Sequence, residues 1–304
     1  MTTGGRGRVG EWIERRLAEL GELEPVSLAV RLTCVYLVTK PVDVWYLKLG
    51  LVTLGIVGLV APRLDASRAL WLLVAFFAAW RLLVERWVAD NHIYLFAYWC
   101  LALFLVLNVP EAARQRALAL NARWLIGLAF LFAVLWKGVL SPDFVDGRFF
   151  RSTLLTDGRF RDLTLLAGGM TPQDLQANAR AVAQVRQGRQ AEAELIEPPR
   201  LKRLATAITW WTLVSEGAVA VAFLWPGVGR LIRGLRHGTL LLFAWTTYAF
   251  ATVVGFGWLL VILGVSQCEP RERAMRLAYL ATFFVVFAHQ VVPWTTNLVH
   301  WLPR

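Results

Sequence analysis

Apolar residues in this chain come in blocks close to twenty long, without the 3.6-residue period of a surface helix or the alternation of a half-buried strand. The blocks cover residues 28–47, 44–61, 69–86, 93–110, 122–140, 204–226, 238–264 and 276–293. The first two overlap around Lys40, Pro41 and Asp43, so the pattern predicts seven or eight membrane-spanning helices. Inside lipid every backbone N–H and C=O has to be bonded within its own segment, which selects helices. The short alternating strands of a transmembrane barrel are missing from the pattern. The expected fold class is therefore all-α, a polytopic transmembrane helix bundle.

The polar stretches between blocks set the domain order. Residues 1–26 lack the apolar core of a cleavable signal, but Val9, Trp12, Ile13, Leu17 and Leu20 recur at three- and four-residue steps among Arg6, Arg8, Arg15 and Arg16. That spacing predicts an amphipathic helix on the membrane surface. Residues 27–140 then hold transmembrane helices 1–5, residues 141–203 an extramembrane cap, and residues 204–304 helices 6–8. The first half of the cap mixes aromatics with arginines and glycines and is expected to fold back against the membrane. In its second half Thr171 reads as a helix cap, with Pro172 in the first turn and Asp174 three residues after the cap. A mostly polar helix to about residue 196 is expected, stopped by Pro198 and Pro199. It has too little apolar surface for an independent domain, so it should cover the membrane core or meet a partner protein.

Composition agrees with the blocks, since 57% of residues are hydrophobic and only 17% charged. The net charge of +11 is mostly arginine; lysine occurs only at 40, 48, 137 and 202. Arginines cluster without matching acids in 62–68, 111–123 and 227–237, which by the positive-inside rule places these loops and the N-terminus in the cytoplasm. Residues 87–92, 141–203 and 267–276 then fall on the far side, against the evidence of Arg271, Arg273 and Arg276. No recognition motif accompanies the basic residues, so a nucleic-acid partner is not expected. Cys34, Cys100 and Cys268 have neither disulfide nor metal-ligand spacing, and no metal is expected. Many of the fifteen tryptophans, including Trp87, Trp124, Trp225 and Trp294, sit near block ends as an interfacial belt does. The lipid bilayer is the first expected partner.

A charge in mid-bilayer costs roughly 2.5–3.5 kcal/mol on insertion scales, so each ionisable residue inside a block needs a reason. These residues are Arg31 in the first block, Arg81 and Glu85 late in the third, His92 at the start of the fourth, and Lys137 ending the fifth. Glu216 lies mid-way along the sixth and His289, beside Gln290, deep in the last. Glu216 has no cation on its own helix, so it is expected to be protonated or to meet a cation from another helix, Arg31 first among them. Asn91, His92 and Tyr94 together offer hydrogen-bonding groups at the membrane edge. Lys137 either snorkels to the interface or is held in place for chemistry.

Two short motifs give these residues a context. NHIYL opens the fourth block at 91–95, and DFVDG follows the lysine-ended fifth block at 143–147. With Arg31, Glu216 and the stretch GFGWLLVILGVSQCEP at 255–270, they resemble the membrane domain of the vitamin K-dependent gamma-carboxylases and of their bacterial relatives, the horizontally transferred transmembrane (HTTM) domain proteins. The resemblance spans most of residues 28–293, and its specific part is the two motifs. It implies a quinone of the vitamin K type as cofactor, with Lys137 as the base, His92 and Glu216 beside it, and Arg31, Asn91, Tyr94 and His289 around the bound molecule. Burial suits a lysine base because it disfavours the charged form.

The sequence also departs from that pattern. The family lysine stands eight residues before the motif glycine, where this chain has Val139, while Lys137 stands ten before Gly147. On a continuous α-helix two residues turn about 200°, which would point Lys137 to the opposite face, whereas a two-residue insertion at Val139–Leu140 would restore it to the expected one. The family's late-span histidine falls at Trp245, although His237 and His289 are available elsewhere, and the chain ends at 304 without a counterpart of the substrate-holding soluble domain. The expected function is thus a quinone- or lipid-binding enzyme or peptide-maturation factor rather than true gamma-glutamyl carboxylation, with a separate membrane or secreted protein or peptide as partner. The alternative is a non-catalytic scaffold or accessory subunit of a larger membrane complex. A secondary transporter is not expected, because paired inverted halves are absent.

Overall fold

A computed structural model describes residues 22–39, 42–61, 67–87, 90–227, 229–248 and 253–291, with side chains described to 286. Regular structure among these residues is entirely helical. In chain order the helices are α1 Pro25–Thr39, α2 Trp45–Val60, α3 Arg68–Val84, α4 Asn91–Asn108, α5 Glu111–Leu135, α6 Pro142–Val145, α7 Arg148–Thr156, α8 Arg161–Ala167, α9 Pro172–Arg186, α10 Pro199–Leu224, α11 Arg230–Tyr248, α12 Val254–Ser266 and α13 Arg273–Val291. A π-helical turn, Trp136–Leu140, extends α5. Three of these are long and apolar enough to cross a membrane: α4, α5 with its π turn, and α10. The amphipathic helix expected over 1–26 falls almost wholly outside the described residues.

Two compact units divide the chain, one made of 1–126 with 254–286 and the other of 127–253 with 287–304. In the first, α1 packs on α2 and α12, α2 on α3, and α3 on α4. Small residues permit the close approach, as they do between membrane helices. A Cβ on Gly58 would stand 2.6 Å from Cys34 Sγ, and one on Gly55 would stand 2.9 Å from Leu37 Cβ. Trp71, Trp99, Trp258 and Tyr279 are fully buried in this unit, and the Trp99 indole donates to Thr33 Oγ1 at 3.0 Å.

A very close approach joins α12 and α13, where a Cβ on Gly264 would lie 2.3 Å from a ring carbon of the fully buried Tyr279. Gly264→Ala should therefore destabilise the protein by about 1–3 kcal/mol through overpacking. Gly234→Ala, with open space around it, should gain several tenths from helix propensity. Thermal unfolding of both variants in detergent checks this, and equal stability would refute the packing assignment.

The single block expected over 238–264 is two helices, α11 and α12. The division changes which elements share an end. Gln115 Nε2 at the start of α5 donates to the carbonyls of Ser266 and Cys268 at 3.3 and 2.9 Å, and Arg273 pairs with Glu22 at 2.8 Å. The segment before α1, the start of α5 and the turn between α12 and α13 therefore lie together, whereas one long span had put residues 22 and 267–276 on opposite sides.

In the second unit, α6–α9 make up the segment between α5 and α10. Phe144, Phe150, Leu154, Leu155, Phe160 and Met170 make an apolar core with Leu201 and Ala205 of α10, so the cap leans on the first turns of a membrane-type helix. Thr171 and Asp174 form a reciprocal capping box at α9, and the Thr171 N–H and hydroxyl hold the Asp174 carboxyl below its usual range. The α9 helix stops at 186 rather than near 196. Gly188, at φ +68°, closes it with bonds from Gly188 N–H to Val185 O and Arg189 N–H to Gln184 O, the arrangement in which a left-handed residue ends a helix. The return to α10 is then held by Asn178, whose amide donates to Ile196 O at 3.0 Å and accepts from Ile196 N–H at 2.8 Å.

Candidate functional site

The helix α5 has to end before Pro142, because a residue preceding proline is pushed out of the α region; Ser141 accordingly has φ −122° and ψ 86°. Its last five residues, WKGVL, form a π turn, which holds more residues per turn than an α-helix and rotates the side chains that it carries. The Lys137 ammonium pairs directly with Oε1 of Glu216 on α10. The Glu216 carboxyl is almost fully buried, while the lysine side chain remains 26% exposed.

Sequence spacing on a continuous helix had pointed Lys137 away from a catalytic face. The π turn removes the premise of that argument. The cation that meets Glu216 is Lys137, in place of the Arg31 expected from sequence. It comes from 79 residues away along the chain, which no local pattern reveals.

DFVDG supplies the floor beside this pair. Phe144, buried in the cap core, lies with its ring centroid 5.4 Å from the Lys137 ammonium, within range of a cation–π attraction. Gly147, at φ +79°, makes the left-handed turn from α6 into α7, a conformation that disfavours a side chain. Asp143 and Asp146 both bond Arg148, at 2.6 and 2.7 Å. The Arg148 N–H and guanidinium hold the Asp146 carboxyl below its usual range. The two acids of the motif are thus engaged in shaping the turn, and its phenylalanine is the part that reaches the lysine.

Two buried side-chain oxygens of α10 have no partner among the described residues: Glu216 Oε2, in the pair itself, and Thr209 Oγ1, two turns away along the helix. They stand seven residues apart on α10, close to two full turns, and so share one face. A buried acceptor without a hydrogen bond costs about 1–3 kcal/mol, which a ligand hydroxyl or water would recover. Chemically, the site is an ammonium and a carboxylate in contact, with one carboxylate oxygen free to accept a proton. Thr209 and Phe144 were not singled out from sequence. The signal for Phe144 was its place in DFVDG, whereas Thr209 gave none.

The remaining predicted residues belong to the first unit, apart from His289. His92 is buried near the start of α4, with Nδ1 3.8 Å from the Asp90 carboxylate. Asn91 and Tyr94 beside it are exposed, as is Arg31 on α1. His289 lies in α13, and its side chain is outside the described residues. A second buried ion pair stands in this unit, Arg81 with Glu85 at 2.7 Å, one turn apart at the end of α3. No family model matches the chain, and neither a curated protein nor a solved structure does.

Proposed function

We propose that this chain is a multi-pass inner-membrane protein of the HTTM and gamma-carboxylase-like type that binds a quinone- or lipid-type molecule beside Lys137 and Glu216 and moves a proton there. The observation that carries the reading is the contact between Lys137, on the π turn, and the buried Glu216, whose second oxygen is unpartnered among the described residues. π turns inside helices frequently mark functional positions. A reduced quinone has a hydroxyl donor that suits Glu216 Oε2 and an aromatic ring that suits Phe144 beside Lys137. When bound, such a molecule would supply the redox chemistry; the residues would position its hydroxyl and take or return its proton.

Chain order supports a topology with the N-terminus in the cytoplasm. In the first unit the arginines at 271–276 lie beside the segment that precedes α1, on the N-terminal side where the positive-inside rule would put them. The contact of Arg273 with Glu22 fits that arrangement. The cap, residues 141–198, then faces the opposite compartment, where a secreted protein or peptide partner would meet it.

The test is extraction and mass spectrometry of quinones from the purified full chain. Quinone should co-purify with the parent protein and be lost from Lys137→Ala and Glu216→Gln. Its equal retention in both folded variants would sink the reading.

A second reading, a scaffold without chemistry, is favoured by the exposed aromatic residues Trp136 at the end of α5 and Trp210 and Trp211 on α10. It expects a stable larger assembly in mild detergent and no bound quinone.

A further inference from the structure

The cap carries a cleft that no residue of the ion pair lines. It lies between the end of α7, the turn that follows it and the first half of α9, and has a volume of about 510 Å³. That is within the range of roughly 300–1,000 Å³ found for sites that enclose small ligands. Leu154, Leu155 and Leu175 give it an apolar floor, and the first two are almost fully buried. On the α9 side Gln176 stands three residues after Gln173 and three before Ala179, so the three are neighbours on the helix surface. Nothing lies within 4 Å of where a Gly158 side chain would start, so the cleft is open at that turn.

The polar groups of the lining decide what the cleft can take. Asp157 is committed to Arg159, whose guanidinium and N–H donate to it at 2.5 and 3.0 Å and hold its carboxyl below the usual range. Arg161 also lines the cleft, is exposed, and has no partner among the described residues. The side-chain amides of Gln173 and Gln176 are likewise exposed and without a partner there. The cleft thus offers one uncommitted cation, two uncommitted amides and an aliphatic floor. A side-chain amide carries the donor and acceptor that match a peptide unit, and a guanidinium bonds a carboxylate through two parallel N–H groups. From Pro172 to Ala179 the helix rises about 10 Å at ~1.5 Å per residue, a length that an extended chain covers in about three residues at ~3.3 Å each. In so short a cleft a terminal carboxylate lies on the line of the backbone itself. A side-chain carboxylate would take the place that the leucine floor gives to an apolar group.

We propose that this cleft binds the C-terminal end of a peptide, with the terminal carboxylate at Arg161, the last peptide units at Gln173 and Gln176, and an aliphatic side chain on the leucine floor. The proposal rests on the reading of the cap as the surface that meets a secreted protein or peptide, and it gives that partner its chemistry, a free carboxyl terminus preceded by apolar residues. Capture of a terminal carboxylate beside main-chain recognition is a recurring way of holding peptides. It is independent of the proton site.

Fluorescence anisotropy of the full chain in mild detergent tests it, with three labelled heptapeptides that share an aliphatic ending. One has a free C-terminus, the second is its C-terminal amide, and the third is that amide with a glutamate as the penultimate residue. The free acid should bind about tenfold more tightly than the plain amide. Arg161→Gln should weaken the acid by about tenfold, the loss of one charge-assisted pair, and leave the amide unchanged. Ala179→Phe, at an exposed helical position, fills the cleft and should weaken every peptide that the parent binds. Equal binding of acid and amide by the parent overturns the proposal, as does undiminished binding of the acid by either variant. A glutamate peptide bound as tightly as the free acid overturns it in favour of a side-chain carboxylate. Quinone is measured in the same preparations. Peptide binding without quinone overturns only the proton site, and quinone without peptide binding overturns only the cleft.

Discussion

Replacing Lys137 by alanine is expected to destabilise the folded protein by on the order of 3 kcal/mol, because it leaves the nearly fully buried Glu216 carboxyl without its ion-pair partner. The cost comes from the orphaned acid more than from the lost attraction. Removing both groups together is a different experiment, since a buried pair replaced by apolar residues of similar volume is often neutral. The double variant Lys137→Met with Glu216→Leu should therefore recover most of the stability that Lys137→Ala loses. Unfolding of the three proteins in mixed micelles measures the series. Stability and function then separate. On the scaffold reading the double variant behaves as the parent in every assay, whereas on the proton-handling reading it is folded and still without quinone. A single Lys137→Ala as stable as the parent would show that the pair is not a closed contact in solution.

Arg236→Ala should have a comparable effect for a different reason. This buried guanidinium donates to the carbonyls of Ala222, Trp225 and Gly227, at 3.0, 2.7 and 2.7 Å, and so satisfies the end of α10. A hydrogen bond with one charged partner contributes roughly 1.5–3 kcal/mol, and three made by one side chain do not add fully, so a loss of about 4 kcal/mol is expected. Arg236→Lys should recover less than half, because an ammonium lacks the planar fork that reaches several carbonyls at once. The same unfolding assay reads both. Full rescue by lysine would mean that charge near the helix end, and not the forked geometry, is what counts.

Arg236 also shows how a sequence pattern can be right in location and incomplete in meaning. The arginine clusters were read as markers of the cytoplasmic side. In the structure several of them finish helices: Arg68 and Arg114 reach the carbonyl of Leu107 at the end of α4, as Arg236 does the last carbonyls at α10. A chain poor in acids has few carboxylates to pair with arginine, and helix C-terminal carbonyls are the remaining strong acceptors.

By itself the sequence determined the elements whose cause is local. Runs of apolar residues near twenty long specify helices, and the described residues contain no other regular structure. Thr171, Pro172 and Asp174 specify the start of α9 because a capping box is closed within four residues. The end of α9 at Arg186, closed by Gly188, was not read from the sequence. Tertiary structure alone decided what depends on residues far apart in the chain. The block at 238–264 is divided in two, a break that an unbroken run of apolar residues does not announce. Glu216 took Lys137 as partner because a π turn, invisible to hydrophobic periodicity, sets the direction of the last side chains of α5. A one-residue change in helical register rotates a side chain by about 100°, and the sequence states the residues but not that rotation. The lysine in AVLWKGVLSPDFVDG thus faces a buried carboxylate for a reason that lies in the register of one turn.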